Sequence, residues 1–450
     1  MTDTLPPGPR LPAFLQAPLL IAGPPWLRWC HRRYGDRFTL RVGRFGQYVY
    51  LVDPDDIREV FHGDDTIFHA GEANAPFLGR VLGPNSVLVT DEETHMRQRR
   101  RLTGPFHGGS VARLVPRMAA IAAADVDTWP VGEDFPVHDH MRRVTLEIIL
   151  QTVIGVTDEA RLDQLRRALL DLTEIDLLQM AQFAMPGLSR YRPWKSFWTR
   201  KAETDVLLYE EFERVRHDPG LDDRPDVLAM LARFRDEDGT AMTDEELRDQ
   251  IVTLLMAGHE TTATGLSWAL ERLTRHPAIL RRATEAARRG DDAYLDALVV
   301  ETLRVRPVVP DISRRLTTDY QLGRHTIPAG TYVDPAIALV HRTERFHEGA
   351  DRFDPERYVG RRPDPSVWLP FGGGNRRCLG AAFAATEMRI VLAEVLKRVD
   401  LATTSARAER ARMRHVTLTP HKGGVVKVTQ VVERPDVPVV AGGLPAPTSP

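Results

Sequence analysis

Near the C-terminus, Phe371 to Gly380 reads FGGGNRRCLG, one cysteine set among glycines and arginines. The chain holds two cysteines in 450 residues, Cys30 and Cys378, so it offers neither a disulfide framework nor a zinc ribbon. A single thiolate is still a competent ligand for a soft or borderline metal such as iron. The glycines ahead of Cys378 allow a sharp turn and close backbone approach to a flat group. Behind it, Gly380 opens the three-and-four apolar repeat AAFAATEMRIVLAEVLKRV of an amphipathic helix over 381–399. A thiol just ahead of a helix N-terminus is expected to have a lowered pKa. Taken alone, however, Cys378 reads better as a small buried core residue than as a ligand.

Three further groupings carry types and spacings suited to chemistry. Within LLMAGHETTATG, Ala257 and Thr261 are four apart and share a helix face with Leu254 and Gly265, where small residues leave room for a flat ligand. The Thr261 hydroxyl can bond back to the carbonyl four residues earlier and open the helix, and Glu260 beside it makes an acid and alcohol pair for moving protons. A small-residue helix crossing with a surface glutamate is the plain alternative, and His259 is given no chemistry. Glu301 and Arg304, three apart in VVETLRVRPVVP, read in isolation as an exposed ion pair worth little. His95 and Arg99, four apart in HMRQRRRL with Arg97, Arg100 and Arg101 nearby, read in isolation as a solvated helix face.

Together these motifs resemble the cytochrome P450 family. Phe371, Gly372, Gly374, Arg376, Cys378 and Gly380 are similar to its haem-binding loop; Ala257, Gly258, Glu260, Thr261 and Thr262 to its oxygen-activation motif; Glu301 and Arg304 to its Glu-x-x-Arg pair, with Arg357 of FDPERY as third member. The resemblance spans residues 5 to 432. It implies haem b with Cys378 as axial iron ligand, a thiolate that pushes electron density toward O–O cleavage, and Phe371 near the sulfur. His95, Arg99, Arg314 (with Arg315 adjacent) and Arg376 are then propionate partners. Glu260 and Thr261 become the proton-delivering pair, and the Glu301, Arg304 and Arg357 network is structural.

The implied activity is hydroxylation or epoxidation of a hydrophobic small molecule such as a fatty acid, terpene or polyketide, using O2. No flavin or ferredoxin module fits within the chain, so electrons would come from NAD(P)H through a separate ferredoxin and its reductase, docking near Arg97, Arg100 and Arg377. The expected pocket is apolar: Phe68, Phe77, Met180, Phe183, Leu254, Ala257, Val308 and Ile312. Oxidative coupling or desaturation, a haem protein without turnover, and a haem-free interaction protein with Cys378 in its core are the rival readings.

The elements that must hold these residues follow from pattern. Hydrophobic content of 42% and charged content of 27% describe an ordinary globular protein, and a formal net charge of −2 makes no global case for nucleic acid or an anionic membrane. Residues 11–27 are uncharged but broken by Pro12, Pro18, Pro24 and Pro25, too short and interrupted to span a bilayer, and are expected to form an irregular arm within residues 1–30. No signal peptide is legible, so a cytoplasmic location is expected. Paired strands are predicted over 38–52, a loop-rich segment over 66–89 that reads equally as a lid over a site or an ordered surface loop, helices over 111–127, 144–156, 158–184, 195–218 and 226–237, and a long helix from Thr243 to about His276. Residues 321–340 alternate like strands. The expected architecture is mainly α with a smaller β portion: a cytochrome P450 fold with a triangular, prism-like helical body around buried haem. Residues 1–434 form one catalytic domain and 435–450 a Pro-, Ala- and Gly-rich tail read as disordered.

Overall fold

The computed structural model describes residues 5–432 except 22, 44–45, 107, 174–186, 188–189 and 192–193. The expected tail at 435–450 and the pocket candidates Met180 and Phe183 therefore lie outside the described residues. The first helices are α1 (Ala13–Ile21), α2 (Pro24–Tyr34) and α3 (Pro54–His62), the last two flanking strands β1 (Arg37–Arg41) and β2 (Gln47–Leu51). After β3 (Phe68–His69) come α4 (Ala70–Asn74), α5 (Glu92–Thr103), α6 (Val115–Val126), β4 (Asp134–Pro136), α7 (Val137–Ile149), α8 (Glu159–Thr173) and α9 (Trp194–Arg216). The central helix α10 (Asp244–Arg275) leads into α11 (Pro277–Arg289) and α12 (Asp292–Val305). Strands β5 (Arg314–Leu316), β6 (Tyr320–Leu322), β7 (His325–Ile327) and β8 (Tyr332–Pro335) precede α13 (Ala381–Arg398) and β9 (Val399–Ala402), β10 (Ala411–Arg414), β11 (Thr417–Pro420) and β12 (Val425–Val431).

Two hydrophobic cores result. Helices α5 to α13 enclose the larger, which includes Met118, Phe212 and Leu270. The smaller packs Phe38, Tyr50, Ile57 and Val333 under a five-stranded sheet ordered β1-β2-β8-β5-β3. In that sheet β1 and β2 form the predicted hairpin, Arg37 facing Leu51, and β2 runs parallel to β8. A three-stranded sheet β4-β12-β9 closes the far side.

Capping explains where the helices begin. Asp53 accepts from the Asp55 amide at 2.9 Å and Pro54 opens α3. Thr243 and Glu246 form a reciprocal capping box at 3.1 and 3.0 Å, so α10 starts where its sequence signature predicts. Gly258 has a packing cause: a Cβ there would lie 2.9 Å from Ile149 Cδ1, so glycine lets α7 cross close to α10.

Three expectations need correction. The arm is not irregular: α1 forms despite Pro18, because buried Gln16 donates to the Leu11 carbonyl at 2.7 Å and accepts from the Arg41 amide at 3.0 Å, strapping it to β1. Within 66–89, residues 68–82 are not loop but β3, α4, a π-helical turn (Ala75–Gly79) and a further helical turn (Arg80–Leu82), while 83–89 are turns as expected. The start of α4 is capped from a distance, since Asp91 accepts from the amides of Gly71 and Glu72 at 2.7 and 2.8 Å. Residues 337–340 are a helical turn rather than strand.

Candidate active site

The cysteine loop is fixed from three directions. Its own backbone closes through the Cys378 amide, which donates to the Phe371 carbonyl at 2.9 Å. Gly372 and Gly374 have φ of +64° and +62°, a left-handed backbone that glycine adopts without strain. The glycines do not serve closeness to a flat group alone: a Cβ on Gly374 would lie 1.7 Å from the Phe61 carbonyl oxygen and one on Gly373 2.4 Å from the Phe61 ring, so their bareness seats the loop on α3.

From the helical side, Arg304 donates to both Glu301 oxygens at 2.7 and 2.8 Å and to the carbonyls of His341, Ala350 and Arg352 at 2.8–3.0 Å. His341 Nε2 accepts from the Leu369 amide at 2.8 Å, two residues before Phe371. The Trp368 indole donates to the Val300 carbonyl at 3.1 Å and its ring meets Phe371 edge-on at 5.8 Å. Arg357 joins loosely, its Nε 3.6 Å from Glu301 Oε1.

From α5, His95 and Arg376 meet at 2.8 Å. Arg376 also pairs with Asp91 at 2.5 Å and donates to the Thr90 carbonyl at 2.7 Å. Burial, then the Arg376 charge, holds His95 down at about 4, so it is neutral near pH 7.

Cys378 itself is exposed although it lies deep among protein atoms. Burial pushes its thiol up, outweighing the Gly380 amide and the guanidiniums of Arg377 and Arg99 that favour thiolate. The lowered pKa expected from the helix N-terminus is thus not found: Gly380 supplies its amide, but desolvation wins.

On α10, Ala257 is exposed and Leu254 and Thr261 partly so, whereas Thr262 to Thr274 are buried. Thr261 Oγ1 donates to the Ala257 carbonyl at 2.6 Å, the expected back-bond, yet the helix runs unbroken through it and is not opened. Gly265 does not share the open face; it is taken up by Met388 of α13, whose Cε would lie 3.0 Å from a Cβ.

Glu260 points toward α7 and β10. Its oxygens lie 3.3 Å from His138 Nε2, 3.2 Å from Arg142 Nε and 3.8 Å from Arg414 Nη1. Burial pushes its carboxyl up, but His138, Arg414 and Arg142 together hold it at about 2, so it is a carboxylate rather than a free acid near pH 7. Sequence reasoning missed this ring of basic side chains; His138 and Arg142, four apart on α7, were the one available signal. His259 is buried, with Nδ1 3.0 Å from Thr145 Oγ1.

The pocket candidates scatter. Phe68 packs in the sheet core, edge-on to Tyr320 at 4.8 Å. Phe77 is exposed on the π-turn. Leu254 and Val308 border the helical core, and Ile312 lies 3.0 Å from where a Gly372 Cβ would be.

A haem with anionic propionates fits the donor set. Arg314 is buried and Arg99 half-buried, neither with a carboxylate in ion-pair range among the described residues, and the one hydrogen bond Arg314 makes there is 3.0 Å to the Ser313 carbonyl. Burial, then Arg376, lowers Arg314 to about 10, still a cation near neutrality. An accessible sulfur and two such guanidiniums match a thiolate-ligated iron carrying negative side arms.

Comparison with known proteins agrees. The sequence profile described as "Cytochrome P450" matches residues 5–428. A protein named putative cytochrome P450 135B1 from Mycobacterium tuberculosis (strain ATCC 25618 / H37Rv) is 49% identical over 431 residues, covering 94% of this chain and 91% of the relative. Putative cytochrome P450 135A1 from the same strain is 38% identical over 95% and 96%. Among solved structures, "Retinoic acid bound cyanobacterial CYP120A1" superposes with a TM-score of 0.82 at 23% identity, covering 96% of this chain and 100% of that one. The "cytochrome P450DA heme domain" gives 0.81 at 23% identity over 95% and 98%. The expected mainly helical fold with smaller sheets stands, and the chain belongs to the cytochrome P450 family of haem b-dependent monooxygenases.

Proposed function

We propose that this P450 oxidises a hydrophobic small molecule of lipid, terpene or polyketide type, using haem whose iron the Cys378 sulfur would hold. Haem bound there supplies O2 activation and O–O cleavage under thiolate donation. Arg99 and Arg314 hold the propionates as otherwise unpaired cations, and Arg376 with His95 clamps the loop to α5. Thr261, fixed on the Ala257 carbonyl, presents its hydroxyl on the open face of α10. Glu260 passes protons inward as a carboxylate that is protonated transiently, with His138 Nε2 3.3 Å away.

The substrate side of this reading rests on the apolar surroundings of Leu254, Val308 and Ile312. Electrons arrive from NAD(P)H through a ferredoxin and its reductase docking near exposed Arg97, Arg100 and Arg377. Cytoplasmic placement and one catalytic domain over 1–434 complete the proposal.

The observation that carries the ligand assignment is the exposed Cys378 sulfur inside the body, within the field of Arg99. Reduced protein under carbon monoxide tests it: a Soret band without the strong red shift of thiolate ligation overturns it, and Cys378→Ser abolishes the shift while Cys30→Ser leaves it. Screening apolar compounds for substrate-induced Soret shifts followed by product analysis tests the substrate class; shifts confined to polar compounds refute it.

A further inference from the structure

The stretch that carries α1 and α2 combines basic and exposed apolar side chains. Between Asp3 and Asp36 there is no acidic residue, while Arg10, Arg28, Arg32 and Arg33 fall there. The same stretch holds exposed apolar side chains: Phe14 is 70% exposed, Trp29 45%, Leu15 44% and Leu11 40%. Monomeric proteins seldom leave such large side chains clustered in water without a partner.

The structure also shows why they cannot turn inward. Gln16 is fully buried and spends its amide on the carbonyls of Pro9 and Leu11 and the amide of Arg41, which fixes the inner side of α1. Phe14 and Leu15 are left outside. On α2, Leu27 and Cys30 face the sheet core, Trp26 stacks on Trp29 at 4.9 Å, and Trp29 remains exposed. Arg10, Arg32 and Arg33 are exposed and have no carboxylate in ion-pair range among the described residues.

An apolar and aromatic surface fringed by unpaired arginines is complementary to one environment, an anionic lipid interface. Aromatic rings rest at headgroup depth, apolar side chains enter the acyl boundary, and guanidiniums meet lipid phosphates. A protein partner would need an acidic rim around an apolar centre. Neither helix is long and apolar enough to cross a membrane, so the contact is peripheral.

We propose that α1 and α2 form a peripheral docking surface for an anionic membrane, seated by Phe14, Leu15 and Trp29 and held by Arg10, Arg32 and Arg33. The protein as a whole has a net charge of −2, so attraction to an anionic surface has to come from a local basic face such as this one. The inference is independent of the substrate.

The test is co-sedimentation of the full-length holoprotein with sonicated vesicles of phosphatidylcholine, with and without about a third phosphatidylglycerol. Binding to the anionic vesicles, weakened by salt, is the expected result. Arg32→Gln with Arg33→Gln should weaken it about fivefold per arginine, and Phe14→Ser should weaken it further with an unchanged haem spectrum. The arginine variants change exposed side chains and keep the test valid if Phe14→Ser fails to fold. Equal binding to both vesicle types, no binding to either, or binding untouched by the arginine variants overturns the proposal. So does a concentration-dependent dimer, abolished by the same variants, in the absence of vesicle binding.

Discussion

Arg304 grips Glu301 with two hydrogen bonds one helical turn apart on α12, and neither side chain reaches water. Burying an ion pair is costly in itself, but stranding one member costs more. Glu301→Leu leaves the Arg304 guanidinium without its charge partner and removes the acceptor of the Asp354 amide. Denaturant unfolding should show a loss of about 3–5 kcal/mol, with reduced haem occupancy. Arg357→Ala, whose partner is 3.6 Å away, should cost about 1 kcal/mol or less. Equal losses would mean the network is not centred on Arg304.

Glu260 ties pH to stability. Its carboxyl is held at about 2 in the fold against an ordinary 4.5, so the stabilisation it contributes is present above about 4.5 and is lost as pH falls toward 2. Glu260→Gln should melt lower than the parent at pH 7, because Arg142 and Arg414 lose their counter-charge. The gap should narrow as pH is lowered through 4. A gap independent of pH would show that the carboxylate is not what these basic side chains hold.

This ring also marks the limit of what was legible. Cys378, Glu301 and Arg304 sit in contiguous motifs, so the resemblance those motifs carry singles them out where each residue alone does not, and the caps at Asp53 and Thr243 announce helices locally. The partners of Glu260 come from α7 and β10, which no local pattern connects. Gly258 and Gly265 stand out as anomalies in α10, but Ile149 and Met388, which explain them, lie on other helices. The start of α4 was unreadable for the same reason, since Asp91, the residue that caps it, follows an intervening stretch.

Thiol chemistry separates the two cysteines. In haem-free protein, burial raises both, Cys30 to about 12. Alkylation at pH 8 should therefore be slow at exposed Cys378 and slower still at Cys30, with haem protecting Cys378. Arg99→Gln removes a charge that favours the thiolate and should slow labelling of Cys378 further. Faster labelling in that variant would contradict the assigned field.

A second pH dependence has the opposite sign. Asp334 is buried on β8, one oxygen accepting from Ser313 at 3.1 Å and the other unpartnered, and burial followed by the Asp311 charge pushes its carboxyl up. Burial raises Asp311 likewise. Raised acids favour the fold below their unfolded pKa, about 3.9, and that contribution is lost as pH rises through the folded values. Asp334→Asn should therefore gain melting temperature relative to the parent as pH goes from 4 to 8. A constant difference would show that the pair is not strained by ionisation.

The seating of bare Gly373 and Gly374 on Phe61 has a broader consequence. Because α3 belongs to the sheet core and Cys378 to the loop that opens α13, the height of the sulfur is a dimension copied from one core into the other. Phe61 acts as a gauge block: trimming or enlarging it leaves Cys378 in place in the sequence, yet moves the loop that carries it. The position of the candidate ligand sulfur is thereby open to adjustment from a residue outside its own loop.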